Sequence, residues 1–269
     1  MSVEPGAGSS TDDYGSVASR WMVDGSQNLW RRHCDALYLD LLDRWRLGSG
    51  GRRALKTDLF DEAVGQGLVF DLARPAAVPL GVDSSLAVTR AAVVANEPLR
   101  SSVADLRHLP FRDGSIDFVL SNSTLDHFES VREIEVSLRE LARVVSRDGQ
   151  LILSLDNPSN PLIRLRNWLP FSWLRRAGLV PYFVGATLGL RELEMALQRV
   201  GFEVRRTGFL MHCPRVLAVP AAARLRDAPE ATRLRFLRRL MRWETMRSWP
   251  SARFSGHYVA VSAVRRSAG

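Results

Sequence analysis

The chain has 269 residues, of which 46% are hydrophobic and 25% are charged, a composition typical of a soluble globular protein. This length suits one large α/β domain with room for a cap. The two cysteines have no CxxC spacing, which argues against a disulfide framework or a cysteine-based zinc site. No run of about 18 apolar residues or leader-like start occurs, so we expect a cytoplasmic protein without a membrane-spanning helix.

The net charge of +8 comes almost entirely from arginine, because Lys56 is the single lysine. The basic excess lies between residues 163 and 176 and between residues 224 and 247. Such runs are more often solvated helix faces than ligand sites, and no separate nucleic-acid-binding module is visible. The charge alone therefore does not favour a nucleic-acid partner.

The predicted elements begin after a polar tail, residues 1–15, which we expect to be disordered. Residues 16–50 form a predicted helical cover, in which apolar residues recur at helical spacing from Leu29 to Trp45 before "GSGG" ends the helix. From 51 to 269, strands and helices alternate. The predicted strands lie in "ALKTDLF", "AVPLGVDSS", the stretch near Ser101 to Ala104, "GSIDFVLSNS", "GQLILSLD", the stretch after Gly201, and "GHYVAVSAVRR". This alternation predicts an α/β fold with a doubly wound, mainly parallel, seven-stranded sheet.

Two segments interrupt this pattern. Residues 158–188 contain several prolines and have no clean period, which predicts a lid over the strand ends; residues 221–249 form a predicted arginine-rich helical segment. In the lid, Trp168, Trp173 and Tyr182 lie among arginines and could contact an apolar or anionic acceptor. They could equally form an amphipathic surface on a membrane, or simply the core of the lid beneath solvated arginines. The second segment could contact a membrane, a protein or a phosphate backbone.

Polar side chains come directly after the predicted second and fourth strands. Asp83 ends a buried strand, where a short carboxylate can accept both hydroxyls of a ribose, and Ser84 is the next residue. Asp105, in the loop before "LPF", can accept from an exocyclic amine, and the N–H of Leu106 can donate to a ring nitrogen. After the fourth strand, "SNSTLDHF" brings further polar groups to the same sheet edge, among them Asn122. This pattern predicts a nucleoside-binding edge.

Taken in order, these stretches resemble the class I S-adenosylmethionine-dependent methyltransferases, most nearly the small-molecule, methyltransferase type 11-like group. "GVDSSLAVTRAA" is similar to the family's second motif, "ADLRHLPFRDGSIDFVLSNSTLDHF" to its adenine loop and fourth strand, and "LRELARVVSRDGQLILS" to its next helix, turn and fifth strand. The resemblance covers residues 54–154. It implies S-adenosylmethionine as cofactor, Asp83 on its ribose, Asp105 on its adenine, and methyl transfer to a small molecule such as a natural product, a sugar or a lipid-linked precursor.

The first motif departs from the family, because "ALKTDLFDEAVGQG" has no glycine where the family has its glycine-rich turn. In one account the loop is rebuilt. The loop from Lys56 to Glu62 would then hold the methionine end: Asp58 or Asp61 would pair its ammonium and Lys56 or Thr57 its carboxylate. Gly65 and Gly67 would allow a displaced approach. In a second account the cofactor site is lost and the domain is a scaffold. In a third, the acids only cap the next helix.

For the chemical step, His127 is the candidate base, with an unperturbed pKa of about 6.5, and Asp126 could orient it. Candidate acceptor contacts are His33, Asp156 and Asn157, and no residues have the spacing of a metal site. The leading hypothesis is therefore a methyltransferase acting on a small-molecule acceptor. One alternative is a repurposed fold that binds a membrane or a protein through its arginines, and another is an RNA methyltransferase; the sequence does not predict the oligomeric state.

Overall fold

The computed structural model describes residues 28–47, 53–65, 67–72, 78–176 and 185–266. The predicted N-terminal tail and Tyr182 lie outside these ranges.

Seven strands form one sheet in the order β3-β2-β1-β4-β5-β7-β6. They are β1 (Arg53–Lys56), β2 (Val78–Asp83), β3 (Arg100–Val103), β4 (Ile116–Asn122), β5 (Val145–Asp156), β6 (Phe202–Leu210) and β7 (Tyr258–Arg265). β1 to β5 pair in parallel, and β7 runs antiparallel between β5 and β6. The prediction of a mainly parallel, seven-stranded α/β sheet is confirmed.

The helices connect these strands and cover both faces of the sheet. They are α1 (Asn28–Trp45), α2 (Phe60–Val64), α3 (Val69–Leu72), α4 (Leu86–Ala95), α5 (Val131–Val144), α6 (Pro161–Trp168), α7 (Phe171–Arg176), α8 (Leu190–Arg199), α9 (Arg215–Arg224), α10 (Glu230–Met241) and α11 (Ala252–Ser255), with 3₁₀ turns at Leu125–His127 and Arg242–Ser248. None of the described helices is long and apolar enough to cross a membrane.

Local sequence explains where the longer helices begin. Ser130 and Glu133 form a reciprocal capping box at the start of α5, and Ser85 accepts the N–H of Val88 at the start of α4. The predicted apolar stripe of α5, which includes Ile134 and Leu138, is fully buried against the sheet. The starts of these two helices are therefore fixed by capping side chains that can be recognised in the sequence.

The N-terminal helix α1 packs on the face of the sheet near β4 and β5. Leu37, Leu41 and Trp45 belong to the same apolar cluster as Phe118 and Ile152. The Tyr38 hydroxyl also lies 2.7 Å from the Ser154 hydroxyl of β5. The helix predicted over Leu29 to Trp45 is present and packs on the central strands of one face of the sheet.

The first predicted strand is shorter than "ALKTDLF". β1 ends at Lys56, and the chain turns into α2 because the Asp58 carboxylate accepts the N–H of Phe60 at 2.8 Å. Asp58 thus satisfies the N–H of the first residue of α2, whereas the N-cap residue itself, Leu59, has no side-chain capping bond. The predicted lid contains the two short helices α6 and α7.

Candidate functional site

The parallel strands bring the predicted polar residues to one edge of the sheet. Lys56, Asp83, Asn122 and Asp156 are the last residues of β1, β2, β4 and β5. In a doubly wound sheet, ligands bind outside the carboxyl ends of the strands. The structure therefore places the candidate site at this edge, with α1 and α9 beside it.

A buried ionic cluster occupies the start of this edge. The Lys56 ammonium is fully buried, 2.8 Å from Glu62 and 3.9 Å from Asp61. The other Glu62 oxygen accepts the backbone N–H groups of Leu68 and Val69. This cluster ties β1, α2 and the start of α3 together.

The cluster changes the roles expected for the first motif. Lys56 and Glu62 are both fully buried and bind each other, so we revise their assignment from cofactor contacts to structural residues. The Thr57 hydroxyl likewise donates inward, to the Ser121 hydroxyl at 2.9 Å. Asp61 differs, because it lines a pocket and pairs with Arg31 of α1 at 2.7 Å.

Asp83 lies where a ribose acid is expected, but its oxygens already have partners. One oxygen accepts the N–H of Leu59 at 3.0 Å and the other accepts the N–H of Ser85 at 2.8 Å. Burial, and then the nearby Asp58, raises the pKa of Asp83 to about 7. Ser84 is exposed, and the neighbouring Ser85 is the residue that caps α4.

The expected adenine contacts are also engaged within the protein. The Asp105 carboxylate accepts from the Arg107 guanidinium at 2.6 Å, and hydrogen bonding to Arg107 lowers the pKa of that carboxyl. Arg107 reaches onward to Glu133, also at 2.6 Å. Leu106 is buried in the main core. An adenine at this loop would therefore have to displace Arg107 from Asp105.

A small pocket of about 40 Å³ lies between α1 and the ends of β1 and β4. Asp58, Asp61 and Asn122 line it from the sheet, and Arg31 and Tyr38 line it from α1. The Asn122 amide donates to Asp61 at 3.3 Å, whereas its buried Oδ1 has no hydrogen-bond partner in the described part of the chain. Such an unsatisfied buried acceptor is costly unless a ligand or water binds it.

A much larger cavity of about 800 Å³ lies next to the small pocket. Its walls come from α6, α9 and the segment that precedes β7. Most of its lining is apolar: Ile163, Leu165, Leu174, Val219 and Met246 are among the contributors. This volume is within the range of pockets that hold drug-sized ligands.

The two cavities share one wall. The shared lining residues are Trp30, Arg31, Ser123, His127, Met211, Arg215 and Tyr258. Two of them have a left-handed backbone without being glycine: Ser123 has φ 51° and Met211 has φ 59°. Sparsely populated backbone conformations of this kind concentrate at ligand-binding sites.

Asp126 lines the large cavity beside this wall. Its Oδ2 accepts the Ser123 hydroxyl at 2.8 Å and the Asp156 N–H at 3.2 Å, whereas its buried Oδ1 has no hydrogen-bond partner among the described residues. Burial, and then the nearby Asp156, raises the pKa of Asp126 to about 6. The carboxyl can therefore change protonation near neutral pH.

The histidines have different surroundings. His127 lines both cavities, as expected of a residue that acts on an acceptor. His33 is fully buried against Trp30 and Cys213, lines neither cavity, and has a pKa that burial lowers to about 4. We therefore revise His33 from an acceptor contact to a packing residue.

Of the other expected acceptor contacts, some line the large cavity and others do not. Asp156 lines the large cavity and pairs with Arg166 at 2.6 Å. Asn157 is fully buried and donates to the carbonyls of Arg253 and Gly256, so it holds the backbone before β7 instead of facing the cavity. Trp168 lines a neighbouring surface groove, and Trp173 is exposed outside the cavity lining.

Several residues of the site were not predicted from the sequence. Arg31 and Tyr38 lie on α1, and Arg215, His257 and Tyr258 come from segments far along the chain. The helical spacing of α1 marks which residues are buried but not which strand ends they reach. Among the described residues, no cluster of histidine, cysteine and acidic side chains could hold a metal ion.

The donors and acceptors fit S-adenosylmethionine, the cofactor that the sequence resemblance implies. The unsatisfied Asn122 oxygen can accept from an ammonium, and Arg31 can pair with a carboxylate. Asp83 uses two of the roughly four lone-pair positions of a carboxylate, which leaves room for the ribose hydroxyls. The small pocket is tight, so binding must widen it.

The chain was compared with known proteins. Residues 60–153 match the family model described as "Methyltransferase domain". No curated protein matches the chain.

Solved structures share the fold at low identity. A methyltransferase of Haloferax volcanii, solved with the Trm112 methyltransferase activator, superposes with a TM-score of 0.59 at 16% identity, covering 97% of this chain and 99% of that one. An S-adenosylmethionine-dependent methyltransferase from Mesorhizobium loti gives 0.55 at 19% identity, covering 87% and 100%. Geranyl diphosphate C-methyltransferase from Streptomyces coelicolor gives 0.52 at 16% identity, covering 86% and 78%. At these identities the likeness concerns the fold alone.

The domain match begins at α2 and ends in β5, so it contains the strand-end acid, the adenine loop and the fourth strand on which the predicted resemblance rests. The sheet order and the single antiparallel strand are those of the same fold. Residues 60–153 therefore form a methyltransferase domain, and the chain has the fold of S-adenosylmethionine-dependent methyltransferases.

Proposed function

We propose that the protein is an S-adenosylmethionine-dependent methyltransferase that methylates a small, largely apolar acceptor in the 800 Å³ cavity, with the cofactor in the adjoining small pocket. The observation that carries this proposal is the adjacency of the two cavities. The small pocket has the polar donors that suit the cofactor, the large cavity has an apolar lining, and seven residues border both. Methyl transfer is an in-line displacement, so the acceptor atom and the methyl group must come into contact where the two cavities adjoin.

We assign the cofactor contacts by chemistry. S-adenosylmethionine supplies an electrophilic methyl group when it is bound. Asp83 would hold the ribose, Asn122 and Asp58 the ammonium, and Arg31 the carboxylate. These assignments keep Asp83, Asn122 and Asp58 from the sequence prediction and replace Lys56 with Arg31, because Arg31 lines the pocket and Lys56 does not.

We assign proton removal from the acceptor to Asp126 in place of His127. Asp126 lines the acceptor cavity, its buried Oδ1 has no partner among the described residues, and a pKa of about 6 suits a base that works near neutral pH. The Ser123 hydroxyl donates to the other oxygen and fixes the orientation of the carboxylate. His127, which lines both cavities, would position the acceptor.

Calorimetric titration with S-adenosylmethionine and S-adenosylhomocysteine tests the cofactor half of the proposal. We expect micromolar binding, about −8 kcal/mol, and a loss of at least about ten-fold in affinity for Asp83→Ala and for Arg31→Met. Arg32→Met is the matched control, since Arg32 is adjacent on α1 but pairs at the surface with Glu230 and lines neither cavity. No binding by the folded protein at millimolar ligand would refute the assignment and favour a repurposed scaffold.

Methyl-labelled cofactor tests the acceptor half. Incubation with fractionated small molecules and apolar extracts should transfer label to an apolar fraction, and Asp83→Ala should abolish the transfer. Label that appears only in added RNA would contradict a small-molecule acceptor.

A further inference from the structure

Large apolar side chains surround the opening of the 800 Å³ cavity. Five residues both line the cavity and are more than 40% exposed, which places them at its mouth: Leu162, Leu165, Val216, Trp243 and Phe254. Trp168 is 80% exposed and lines a groove that also contains Phe254, so it extends this border. We call these six residues the mouth rim. A soluble protein rarely gathers so many exposed large apolar groups around one opening unless the surface binds something.

The apolar surface is continuous with the cavity interior. Phe254 lines both the cavity and the groove of Trp168, so an apolar side chain connects the two. On the next helix, Trp173 is 65% exposed and directly precedes Leu174, which is buried in the cavity wall. An apolar ligand could therefore stay in contact with apolar side chains between the mouth rim and the interior.

The sequence segments that carry most of the mouth rim are basic. Residues 157–191, 213–226 and 245–269 contain arginines but no aspartate or glutamate, and they include every rim residue except Trp243. The acidic residue next to Trp243 is Glu244, which is buried and accepts the N–H of His212. Arg164 is exposed in the groove of Trp168, and Arg253 stacks on Phe254 at 4.3 Å from the ring centroid.

We propose that the mouth rim docks on a lipid bilayer with anionic head groups, so that the cavity opens toward the membrane. Exposed tryptophans among leucine, valine and phenylalanine suit the boundary between head groups and acyl chains. The arginines around them match the negative surface of such a bilayer. Docking is peripheral, and it concerns a surface separate from the cofactor contacts, so it does not depend on the proposed methyl transfer.

A second copy of the chain fits this surface less well. Two copies joined through their mouth rims would bring two acid-free, arginine-bearing surfaces together, and these would repel. An anionic bilayer has an apolar interior that can accept the exposed apolar side chains and a negatively charged surface that attracts the arginines. The charge pattern therefore selects the bilayer.

Vesicle sedimentation of the full chain tests the proposal. We expect co-sedimentation with vesicles of phosphatidylcholine containing about a third phosphatidylglycerol, and much weaker binding to phosphatidylcholine alone or at high salt. Arg164→Gln and Arg253→Gln should each weaken binding about five-fold, which corresponds to about 1 kcal/mol per arginine. Trp168→Ser should weaken it roughly ten-fold.

Two control variants lie on α4, at the other end of the sheet. Val94 is 83% exposed and Arg90 is also exposed, so Val94→Ser and Arg90→Gln remove the same kinds of group away from the mouth rim. Both should sediment like the wild type. The proposal is overturned if folded protein ignores both kinds of vesicle or if the α4 variants lose as much binding as the rim variants. It is also overturned if light scattering shows a dimer that Trp168→Ser dissociates and vesicles do not compete for.

Discussion

Lys56→Met tests whether the single lysine is structural or binds the cofactor. The Lys56 ammonium and the Glu62 carboxylate are both fully buried and lie 2.8 Å apart. Removing one partner of such a pair leaves an uncompensated buried charge, which typically costs about 3–5 kcal/mol. Because a domain is stable by only about 5–15 kcal/mol, the variant should unfold at a urea concentration roughly 1–2 M lower.

The neutral double variant sharpens this test. In Lys56→Met/Glu62→Gln the glutamine oxygen can still accept the N–H groups of Leu68 and Val69, while the buried charge is gone. We expect it to recover at least half of the lost free energy of unfolding, as a double-mutant cycle would show. Arg53→Met is the surface control, since Arg53 is half exposed and lies 3.9 Å from Asp117, and it should cost under about 1 kcal/mol.

Urea unfolding followed by circular dichroism at neutral pH measures five proteins: the wild type, Lys56→Met, Glu62→Gln, the double variant and Arg53→Met. If Lys56→Met keeps wild-type stability but loses affinity for S-adenosylmethionine, then Lys56 is a cofactor ligand and the structural role is wrong. If the double variant is no more stable than Lys56→Met, the cost does not arise from the unpaired carboxylate.

Three further predictions concern the base, the strand-end acid and the packing beneath it. Asp126→Asn should slow methyl transfer about 10²–10⁴-fold and should remove the rise in rate with pH near 6. The rate is measured by release of S-adenosylhomocysteine. A variant that keeps the wild-type pH profile would exclude Asp126 as the base. Asp83 has a raised pKa of about 7, so the native state holds its proton between about pH 4 and 7 while the unfolded state releases it, and stability falls as pH rises through that range. Between about pH 4 and 7, the free energy of unfolding of Asp83→Asn should therefore rise relative to that of the wild type by about 1 kcal/mol per pH unit, measured by urea titration. A difference between the two proteins that does not depend on pH would contradict the raised pKa. Gly81→Ala would place a Cβ 2.5 Å from the Leu59 side chain and should lower the free energy of unfolding by about 1–3 kcal/mol, measured by thermal unfolding. The double variant Gly81→Ala/Leu59→Ala should lose less stability than the sum of the two single variants. Strict additivity would show that this contact is not the cause of the loss.

Much of the fold could be predicted because its signals are local. Apolar periodicity and caps define α1 and α5, and short apolar runs after turns define β4 and β5, so the order of elements is set by the chain itself. The short helix α2 was anticipated only in the account in which the acids cap it, and α3 was not predicted, because their stability comes from burial and from Glu62, which binds Lys56 and the N–H groups at the start of α3. Nothing in "DLFDEAV" alone indicates that pairing.

The site could be predicted only where it depends on topology. Strand ends must meet at one edge, which is why Asp83, Asn122 and Asp126 were found. Which of them faces a cavity depends on distant partners: Arg31 reaches Asp61 from a helix 30 residues earlier, and Arg107 engages Asp105. The sequence indicates that such charges exist but not how they pair.

The burial of Lys56 also determines how the protein can be labelled. The chain has one lysine, and that lysine is inaccessible inside a closed ionic cluster. An amine-reactive dye should therefore leave Lys56 unmodified in the folded protein and attach to it only when the chain opens. Modification of Lys56 then reports directly on unfolding of the β1 region, without any engineered cysteine.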